Sequence, residues 1–331
     1  MKFLVIRLSS IGDIILTSPV VRCLAKQMGS EVHVLTRTAY TSLYTSNPYV
    51  AKVHAYANEQ LRPLIEGLKA EKFDHVIDLQ KSRRSISLRS RIGVSATSFP
   101  KVNLQKWLKV NLKWDLLPDA HIVQRYLKAV DTFGVRYDGD GLDLFIDRAI
   151  EPPAAVSQTS QPYIAFAIGA AHGTKRLPPE SLADLCSRIK HPIILLGGST
   201  EKEIGEDLAK TSPLVTSLCG TCSLQESAAV LRKAALVISH DTGMMHMAAA
   251  LQKPIFSIWG NTIPGFGMTP FYRRENPPIQ RIFEVSGLSC RPCSKIGYET
   301  CPKGHFSCML DQDMEKIGRE VEIFMSKPDL T

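Results

Sequence analysis

Four stretches of the chain combine residue types that could carry chemistry. The first is Ser9-Ser10-Ile11-Gly12-Asp13, which follows the short apolar run FLVIRL at 3–8. Gly12 permits a tight turn, and Asp13 falls past the carboxyl end of the predicted strand, at the start of a helix. A carboxylate there is either a general base or part of a helix cap, which stabilises by about 1 kcal/mol. The spacing alone favours the cap.

The second stretch is IGAAHGTKRLPPE at 168–180, a predicted loop between a strand and a helix. Thr174 offers a hydroxyl donor and Lys175 a point charge, and both groups can meet phosphate oxygens. The alternative is an ordinary exposed loop lysine. The pattern by itself does not choose between an anion contact and a solvated loop.

The third stretch is ISHDTGMMHMAAALQKP at 238–254, where a strand ends near Asp241, Thr242 and Gly243. The following helix presents free backbone N–H groups and the positive end of its dipole, which together suit a diphosphate. His246 lies one turn into this helix. A lone helical histidine is more often packed in a core than functional.

The fourth stretch is a cysteine cluster with a histidine, His305, inside its last gap. Four thiolates, or three with an imidazole, can bind a structural Zn²⁺, although one CxxC followed by long gaps is looser than paired CxxC motifs. Reduced thiols that pack a loop and a disulfide formed in air are the alternatives. The candidate ligands are Cys290, Cys293, Cys301 and Cys308.

The elements that must position these residues alternate between strands and helices. FLVIRL, EVHVLTR and FDHVIDL read as strands, with a helical stretch, NEQLRPLIEGLKAE, at 58–71. The pattern restarts after EPPAAVSQTSQP at 151–162, with YIAFAIG, PIILLGG, ALVISHD and PIFSIWG as strands. Such alternation predicts α/β domains with parallel sheets, and ligands at the carboxyl ends of their strands.

The sequence thus predicts two domains, 1–150 and 151–331. The second is expected to contain the Cys-rich segment 290–308 and to end in a C-terminal helix. At 331 residues the chain is well above the ~150 of a typical single domain. Two such units facing each other would place a cleft between them.

Positive charge is concentrated in the first half of the chain. The net charge is +8, and residues 1–150 carry 22 Lys and Arg against 14 Asp and Glu, whereas the remainder carries 18 of each. Residues 79–114 hold nine Lys and Arg and no acid. This run favours an anionic partner, with a solvated basic face as the alternative.

Composition excludes several classes of protein. Hydrophobic residues at 44% and charged residues at 22% are typical of globular domains rather than of fibres or long disorder. No apolar stretch approaches the ~20 residues that span a bilayer, and the N-terminus lacks the apolar core and cleavage site of a signal peptide. We therefore expect a cytoplasmic protein whose thiols are mostly reduced or metal-bound.

Three sequence blocks resemble glycosyltransferase family 9, the ADP-heptose:lipopolysaccharide heptosyltransferases. They are RLSSIGDIILTSPVVRCL at 7–24, the KRLP element at 175–178 and SHDTGMMHMAAALQKPIFSIWGNT at 239–262. The resemblance implies a GT-B architecture of two facing Rossmann-like domains with an interdomain cleft. It also implies metal-independent, inverting transfer of a heptose to the lipopolysaccharide inner core.

The resemblance also assigns roles to individual residues. Asp13 matches the general base and Lys175 the lysine that contacts the diphosphate. The donor binds at the N-terminal end of the helix that follows the predicted strand ALVISHD, with Thr174 and Lys175 as further donor contacts. The donor block is Asp241, Thr242, Gly243 and His246. Acceptor-binding candidates lie in the first turn, in the basic run and on a later helix; they are Ser10, Gly12, Lys81, Arg83, Arg84, His121 and Arg125.

One position departs from the family pattern: Leu177 stands where an aromatic side chain is common. The implied partners are ADP-heptose and an acidic lipopolysaccharide core acceptor, with no cofactor required for catalysis and with peripheral contact at the inner membrane. A transferase using another nucleotide sugar is the alternative.

A basic nucleic-acid-binding protein is the alternative from another class, although the basic run offers only Phe99, Trp107 and Trp114 for stacking. A nucleotide-sugar epimerase or dehydrogenase is disfavoured because the dinucleotide fingerprint GxGxxG is missing from the first turn.

Overall fold

The computed structural model describes residues 1–57, 61–157, 159 and 161–327. The chain divides into two compact units. Unit 1 comprises 1–101, 119–147 and 272–276, and unit 2 comprises 102–118, 148–271 and the chain from 277 onward. These bounds differ from 1–150 and 151–331 at three segments, 102–118, 148–150 and 272–276. The ammonium of Lys113 explains one of them, because it donates to carbonyl oxygens at 290 and 292 of unit 2, at 3.1 and 2.8 Å.

Unit 1 is built on a parallel sheet. Its strands are β1 (Lys2–Ile6), β2 (Glu31–Arg37), β3 (Lys52–Tyr56), β4 (His75–Asp78) and β5 (Ala96–Ser98), in the order β3-β2-β1-β4-β5. The helices are α1 (Ile11–Leu16), α2 (Ser18–Met28), α3 (Leu61–Ala70), α4 (Arg83–Ile92) and, later in the chain, α6 (Ile122–Leu127). The first three residues of the helical stretch predicted at 58–71 lie outside the described residues.

The helix predicted after the first turn is two helices, separated at Thr17. The Thr17 hydroxyl donates to the carbonyl oxygen of Ile14 at 2.6 Å, and Pro19 has no N–H with which to continue the ladder of α1. The chain therefore ends one helix and begins another within two residues. Both bury apolar side chains, as the periodicity predicts.

Unit 2 contains a second parallel sheet, of six strands. These are β6 (Ile164–Ala167), β7 (Ile193–Leu196), β8 (Val215–Ser217), β9 (Leu236–His240), β10 (Ile255–Trp259) and β11 (Gln280–Glu284), in the order β11-β10-β9-β6-β7-β8. Its helices are α5 (Asn103–Asn111), α7 (Ala154–Ser157), α8 (Pro179–Arg188), α9 (Lys202–Thr211), α10 (Leu224–Lys233), α11 (Gly243–Ala250), α12 (Ser307–Leu310) and α13 (Met314–Met325).

The expected C-terminal helix is α13, which buries Ile317, Val321 and Phe324 in the core of unit 2. The predicted α/β class is confirmed by both sheets. None of the helices within the described ranges combines the length and the hydrophobicity that a bilayer span needs.

Strand order identifies where each unit can hold a ligand. Parallel sheets of this kind bind ligands outside the carboxyl ends of their strands, at the point where the order reverses. In unit 1 that point lies between β1 and β4, and in unit 2 between β6 and β9. The chain segments that follow these four strands are therefore the expected positions of ligand-binding residues.

A polar cluster occupies the amino ends of β1, β2 and β3, away from those switch points. His33 Nδ1 lies 2.9 Å from His54 Nε2, and Lys2 and Lys52 pair with the carboxylate of Glu71. Ligand atoms of the two histidines and Glu71 lie within 4.8 Å of one another, which is close enough to hold a metal ion. Two ammonium groups already neutralise the carboxylate, so the cluster is an ion-pair network within unit 1.

The buried histidine of this cluster is expected to make the stability of the fold sensitive to acid. Burial, followed by the charge of His33, lowers the pKa of His54 from 6.5 to about 4. His54 therefore becomes protonated near pH 6.5 in the unfolded chain but only near pH 4 in the native protein. Between these values the unfolded state binds more protons, so the free energy of unfolding decreases as pH falls from about 6.5 to about 4. We expect the thermal midpoint to decrease across it, and to decrease less in His54→Gln. An equal decrease in this variant and in the control His191→Gln would contradict the prediction.

Candidate active site

The switch point of unit 1 is built around the carboxylate of Asp13. Ser10 is the N-cap of α1, and its hydroxyl donates to Asp13 Oδ2 at 3.2 Å. The guanidinium of Arg7 lies 2.7 Å from the same oxygen, and the hydroxyl of Tyr126 donates to Asp13 Oδ1 at 3.2 Å. The carboxylate takes part in the cap and is also oriented by partners outside it, and its role as a general base stays a prediction.

Arg7 is the group that fixes this arrangement. Burial alone would lower the pKa of its guanidinium, but the ion pair with Asp13 raises it above the ordinary value. The same guanidinium donates to the carbonyl oxygens of Ser9 and Leu79, and to the hydroxyl of Tyr126 at 2.9 Å. A permanently charged, nearly buried cation therefore favours the ionised carboxylate at the carboxyl end of β1.

The turn after β4 is tied to the turn after β1. Gln80 Oε1 accepts hydrogen bonds from the backbone N–H groups of Leu8 and Ser9, at 3.0 and 3.3 Å. The buried carboxylate of Asp78 in turn accepts from the N–H groups of Gln80 and Lys81. Both turns are held at one edge of the sheet.

The basic residues after β4 fall into two groups. The Lys81 ammonium donates to the carbonyl oxygen of Phe99 at 3.1 Å, so it braces the turn. Arg83 and Arg84 are exposed and form the first turn of α4, whose N-cap is Ser82. Cations at a helix N-terminus oppose the helix dipole, and an anion bound there would relieve that opposition.

The two candidates on α6 are placed differently from each other. His121 is the N-cap of α6, and its Nδ1 accepts from the N–H of Val123 at 3.2 Å. Arg125 is 3% exposed, and burial lowers the pKa of its guanidinium. His121 thus caps a helix and Arg125 packs in the interior of unit 1. Their role in binding an acceptor stays a prediction.

The switch point of unit 2 brings Lys175 and Asp241 together. Lys175 follows β6, Asp241 follows β9, and the ammonium lies 2.6 Å from Asp241 Oδ2. The hydroxyl of Thr262, in the turn that follows β10, donates to the same carboxylate oxygen at 2.7 Å. Lys175 is therefore held at the edge of the sheet rather than extended into solvent, and its contact with a bound anion stays a prediction.

The helix that starts beside this pair is α11. Its N-cap is Thr242, and the first N–H groups of an α-helix have no partner within it. These donors and the positive end of the helix dipole lie next to the Lys175 ammonium. His246 is 2% exposed, one turn inside the helix. The arrangement suits an anion, and it places His246 in the packed interior.

Comparison with known proteins identifies the family. The family model for glycosyltransferase family 9 (heptosyltransferase) matches residues 61–300. The chain belongs to glycosyltransferase family 9. The family resemblance is therefore confirmed, and the match includes the blocks at 175–178 and 239–262.

Relatives of this heptosyltransferase family agree with that assignment. The chain is 27% identical to lipopolysaccharide heptosyltransferase 1 of Pseudomonas aeruginosa, over 91% of this chain and 87% of the relative. Matches to heptosyltransferase 2 relatives span about half of each protein. The solved structure of E. coli ADP-heptose LPS heptosyltransferase II superposes with a TM-score of 0.73, at 18% identity and 98% coverage of both chains. That likeness confirms the GT-B fold class.

Thr174 of this family 9 chain has an internal role. It is 2% exposed, and its hydroxyl donates to Tyr298 O or Asn261 Oδ1, at 3.0 and 3.1 Å, while it accepts from the N–H of Tyr298 at 2.9 Å. These hydrogen bonds connect the turn that carries Lys175 to the loop that contains Tyr298. Leu177, at the position where the family pattern often has an aromatic, packs in the core.

Sequence reasoning missed a buried carboxylate in the same region, Glu201. It pairs with the guanidinium of Arg176 at 2.9 Å and accepts from the N–H of Gly198 at 2.8 Å. A Cβ at Gly169 would lie 2.7 Å from Glu201 Oε2, so a larger residue where the chain leaves β6 would displace this carboxylate. His240 is likewise buried and accepts from the Leu177 N–H, and burial lowers its pKa to about 3.

The four predicted cysteine ligands lie near one another in unit 2. Cys290 Sγ is 3.7 Å from His305 Nε2, and burial followed by neighbouring thiols raises the pKa of Cys308 to about 12. In the described ranges, His33, His54 and Glu71 are the set whose ligand atoms all lie within 4.8 Å of one another, and no three cysteines meet that criterion. The dodecameric, iron-containing heptosyltransferase TibC is a more distant neighbour, at 12% identity and a TM-score of 0.60.

Proposed function

We propose that this chain transfers a heptose from ADP-heptose to an acidic acceptor in the lipopolysaccharide inner core, with inversion at the anomeric carbon. The pairing of Lys175 with the start of α11 at the switch point of unit 2 carries the proposal. Such a combination of cation and helix N-terminus suits a diphosphate. Family membership and the activities for which the relatives are named support the choice of heptose, ADP and lipopolysaccharide.

Asp13 acts in this scheme as the general base. Its carboxylate accepts the proton of the acceptor hydroxyl as that oxygen attacks the anomeric carbon, on the face opposite the leaving diphosphate. Arg7 and Tyr126 hold the carboxylate in position by contacts of 2.7 and 3.2 Å. The ion pair keeps the residue ionised before the proton arrives.

Lys175 and α11 stabilise the leaving group. As the glycosidic bond breaks, negative charge develops on the diphosphate of ADP. An ammonium and backbone N–H groups already oriented at the sheet edge stabilise that charge without reorganising. We include Asp241, Thr242, Gly243 and His246 in the donor-binding block, with Asp241 positioning Lys175 and His246 packing behind the helix start. Thr174 supports the turn from inside.

The acceptor binds to the first unit in this proposal. Phosphates and carboxylates of the lipopolysaccharide core would meet Arg83 and Arg84, the exposed guanidinium groups at the start of α4. Ser10, Gly12 and Lys81 shape the adjacent turns. His121 and Arg125 contribute by holding α6, which carries Tyr126. The enzyme acts in the cytoplasm, peripherally at the inner membrane, without binding nucleic acid.

We propose that catalysis is independent of metal ions, with any metal confined to the cysteines. Cys290, Cys293, Cys301 and Cys308 would hold a structural Zn²⁺ through thiolates, and that ion would supply only cross-linking of the loop. Elemental analysis of the purified protein tests this, with Cys290→Ser as the matched variant. Stoichiometric zinc that Cys290→Ser loses supports the site; its absence, or activity that EDTA abolishes while the fold persists, counts against the proposal.

Titration calorimetry with ADP, UDP, GDP and a short DNA duplex tests the donor assignment. Selective binding of ADP, followed by ADP release from ADP-heptose in the presence of the core acceptor, is the expected result. Preference for UDP or GDP would retain a GT-B transferase but change the donor. Binding to DNA alone would overturn the function.

The acceptor role of α4 is tested by charge reversal. We expect Arg83→Glu/Arg84→Glu to raise the KM for the acceptor about tenfold or more, because each guanidinium forms a charge-assisted contact with an anionic group. Affinity for ADP should be unchanged. Arg91→Glu, an exposed reversal in the last turn of the same helix, is the control. Equal KM values for the double variant and the control would remove α4 from acceptor binding.

A further inference from the structure

The segment around α5 exposes an unusual set of large apolar side chains. No residue of α5 is buried. Trp107 is 54% exposed and Trp114 is 61% exposed. We call this the tryptophan surface, and it consists of Leu104, Trp107, Leu112, Trp114 and Leu116. Large apolar side chains exposed in this way along one segment of chain mark an interaction surface.

The tryptophan surface is fixed to unit 2 rather than carried on a loose strand of chain. The Lys113 ammonium bridges the carbonyl oxygens of Cys290 and Pro292, and Lys106 lies 5.0 Å from the ring centroid of Phe266. The loop that Lys113 contacts itself exposes Ile296 and Tyr298. The exposed apolar residues therefore belong to one anchored region.

The charge of this region has one predominant sign. Residues 102–118 contain Lys106, Lys109 and Lys113 against a single acid, Asp115, which pairs with Lys109 at 2.7 Å. The neighbouring loop adds exposed Lys295 and Lys303 against one exposed acid, Glu299.

Interleaved tryptophan, leucine and lysine match the chemistry of an anionic bilayer surface. Tryptophan partitions to the membrane–water interface, leucine inserts below it, and lysine is attracted to anionic headgroups. A symmetric dimer through the same surface would instead bring the lysine clusters of two copies against each other. Charge complementarity thus favours the lipid over a second copy of the chain.

We propose that the tryptophan surface seats the protein on a bilayer that contains anionic lipid. This inference rests on the proposed function in one respect: a lipid-linked acceptor is reached from a membrane surface. The inserted groups are the two exposed indoles and the leucines beside them. The lysines supply the electrostatic part of binding, which salt weakens.

Intrinsic fluorescence offers a direct test because the chain has three tryptophans, and the third, Trp259, is 1% exposed in the core of unit 2. With vesicles of phosphatidylcholine and phosphatidylglycerol at 7:3, we expect a blue shift and reduced quenching by iodide. Vesicles of phosphatidylcholine alone should bind about tenfold or more weakly, and high salt should reverse binding.

Co-sedimentation with the same vesicles tests the surface itself. Trp107→Ser/Trp114→Ser should weaken binding about tenfold or more. Ile323→Ser, which changes an exposed residue of α13, should not. Failure of the wild-type chain to bind, or equal binding by the double variant, would overturn the inference. Sedimentation velocity that shows a dimer lost in the double variant would assign the surface to a second copy instead.

Failure of this inference and failure of the proposed function are distinguishable. With a detergent-solubilised acceptor, the double variant should release ADP from ADP-heptose at the wild-type rate, and only transfer to acceptor embedded in vesicles should decline. A chain that binds vesicles through the tryptophans but releases no ADP would contradict the proposed function alone. Normal transfer to embedded acceptor by the double variant would contradict the membrane role alone.

Discussion

Asp13→Asn lowers kcat about 10²-fold or more, which is the usual scale of general-base assistance, and leaves the affinity for ADP near that of the wild type. The amide keeps the shape of the side chain but cannot accept the proton of the acceptor hydroxyl. Steady-state kinetics of ADP release, with calorimetry for ADP, measure the two effects. Loss of kcat without loss of ADP affinity separates a catalytic role from a general disturbance of the fold.

Two comparisons show whether this loss is chemical. Asp13→Asn also leaves Arg7 without its anionic partner, so the free energy of unfolding should fall by about 1–3 kcal/mol. Tyr126→Phe removes the 3.2 Å hydrogen bond but retains the carboxylate, and its kcat should fall much less. Asp131→Asn, at an exposed ion pair with Arg136, should retain wild-type kinetics. Turnover of Asp13→Asn close to the wild-type value would eliminate Asp13 as the base.

Lys175→Met has the second large effect, because it removes the cation from the leaving-group site. Removing one preorganised hydrogen-bond donor from the site where negative charge develops in the transition state typically lowers kcat about 10²–10³-fold. Calorimetry should also show weaker ADP binding, since the ammonium contacts the diphosphate in the ground state as well. The methionine fills the volume of the lysine stem, so packing changes little.

The matched control for Lys175→Met is Lys202→Met, an exposed lysine of the same unit. Thr262→Val provides a second comparison, since it removes a hydrogen bond of 2.7 Å to Asp241 without removing the ammonium. We expect it to have a smaller effect than Lys175→Met. Unchanged ADP affinity and kcat in Lys175→Met would show that α11 alone stabilises the leaving group, contrary to the mechanism.

Local sequence patterns predicted much of the secondary structure. Buried strands such as FLVIRL and PIILLGG have few polar residues because helices cover both faces of a parallel sheet. The strands β3, β5, β8 and β11 escaped prediction because they are short or partly exposed, and the pattern of each is weak. The prediction of one continuous helix after the first turn was wrong. A threonine hydroxyl and a proline each interrupt single backbone hydrogen bonds, and hydrophobic periodicity contains no information about these bonds.

The sequence by itself determined the α/β class, the family and the candidate residues that follow β1, β6 and β9. It could do so because a residue just after a strand of a parallel sheet must lie at the carboxyl edge, whatever the order of the strands. Only the tertiary structure decided which of those residues meet. Asp13 contacts Tyr126 across 113 positions, and Lys175 contacts Asp241 across 66. Strand order brings such pairs together, and it depends on packing of the whole sheet rather than on local pattern. The same packing buried Arg125 and Thr174, and it left the two tryptophans of the α5 region in contact with solvent.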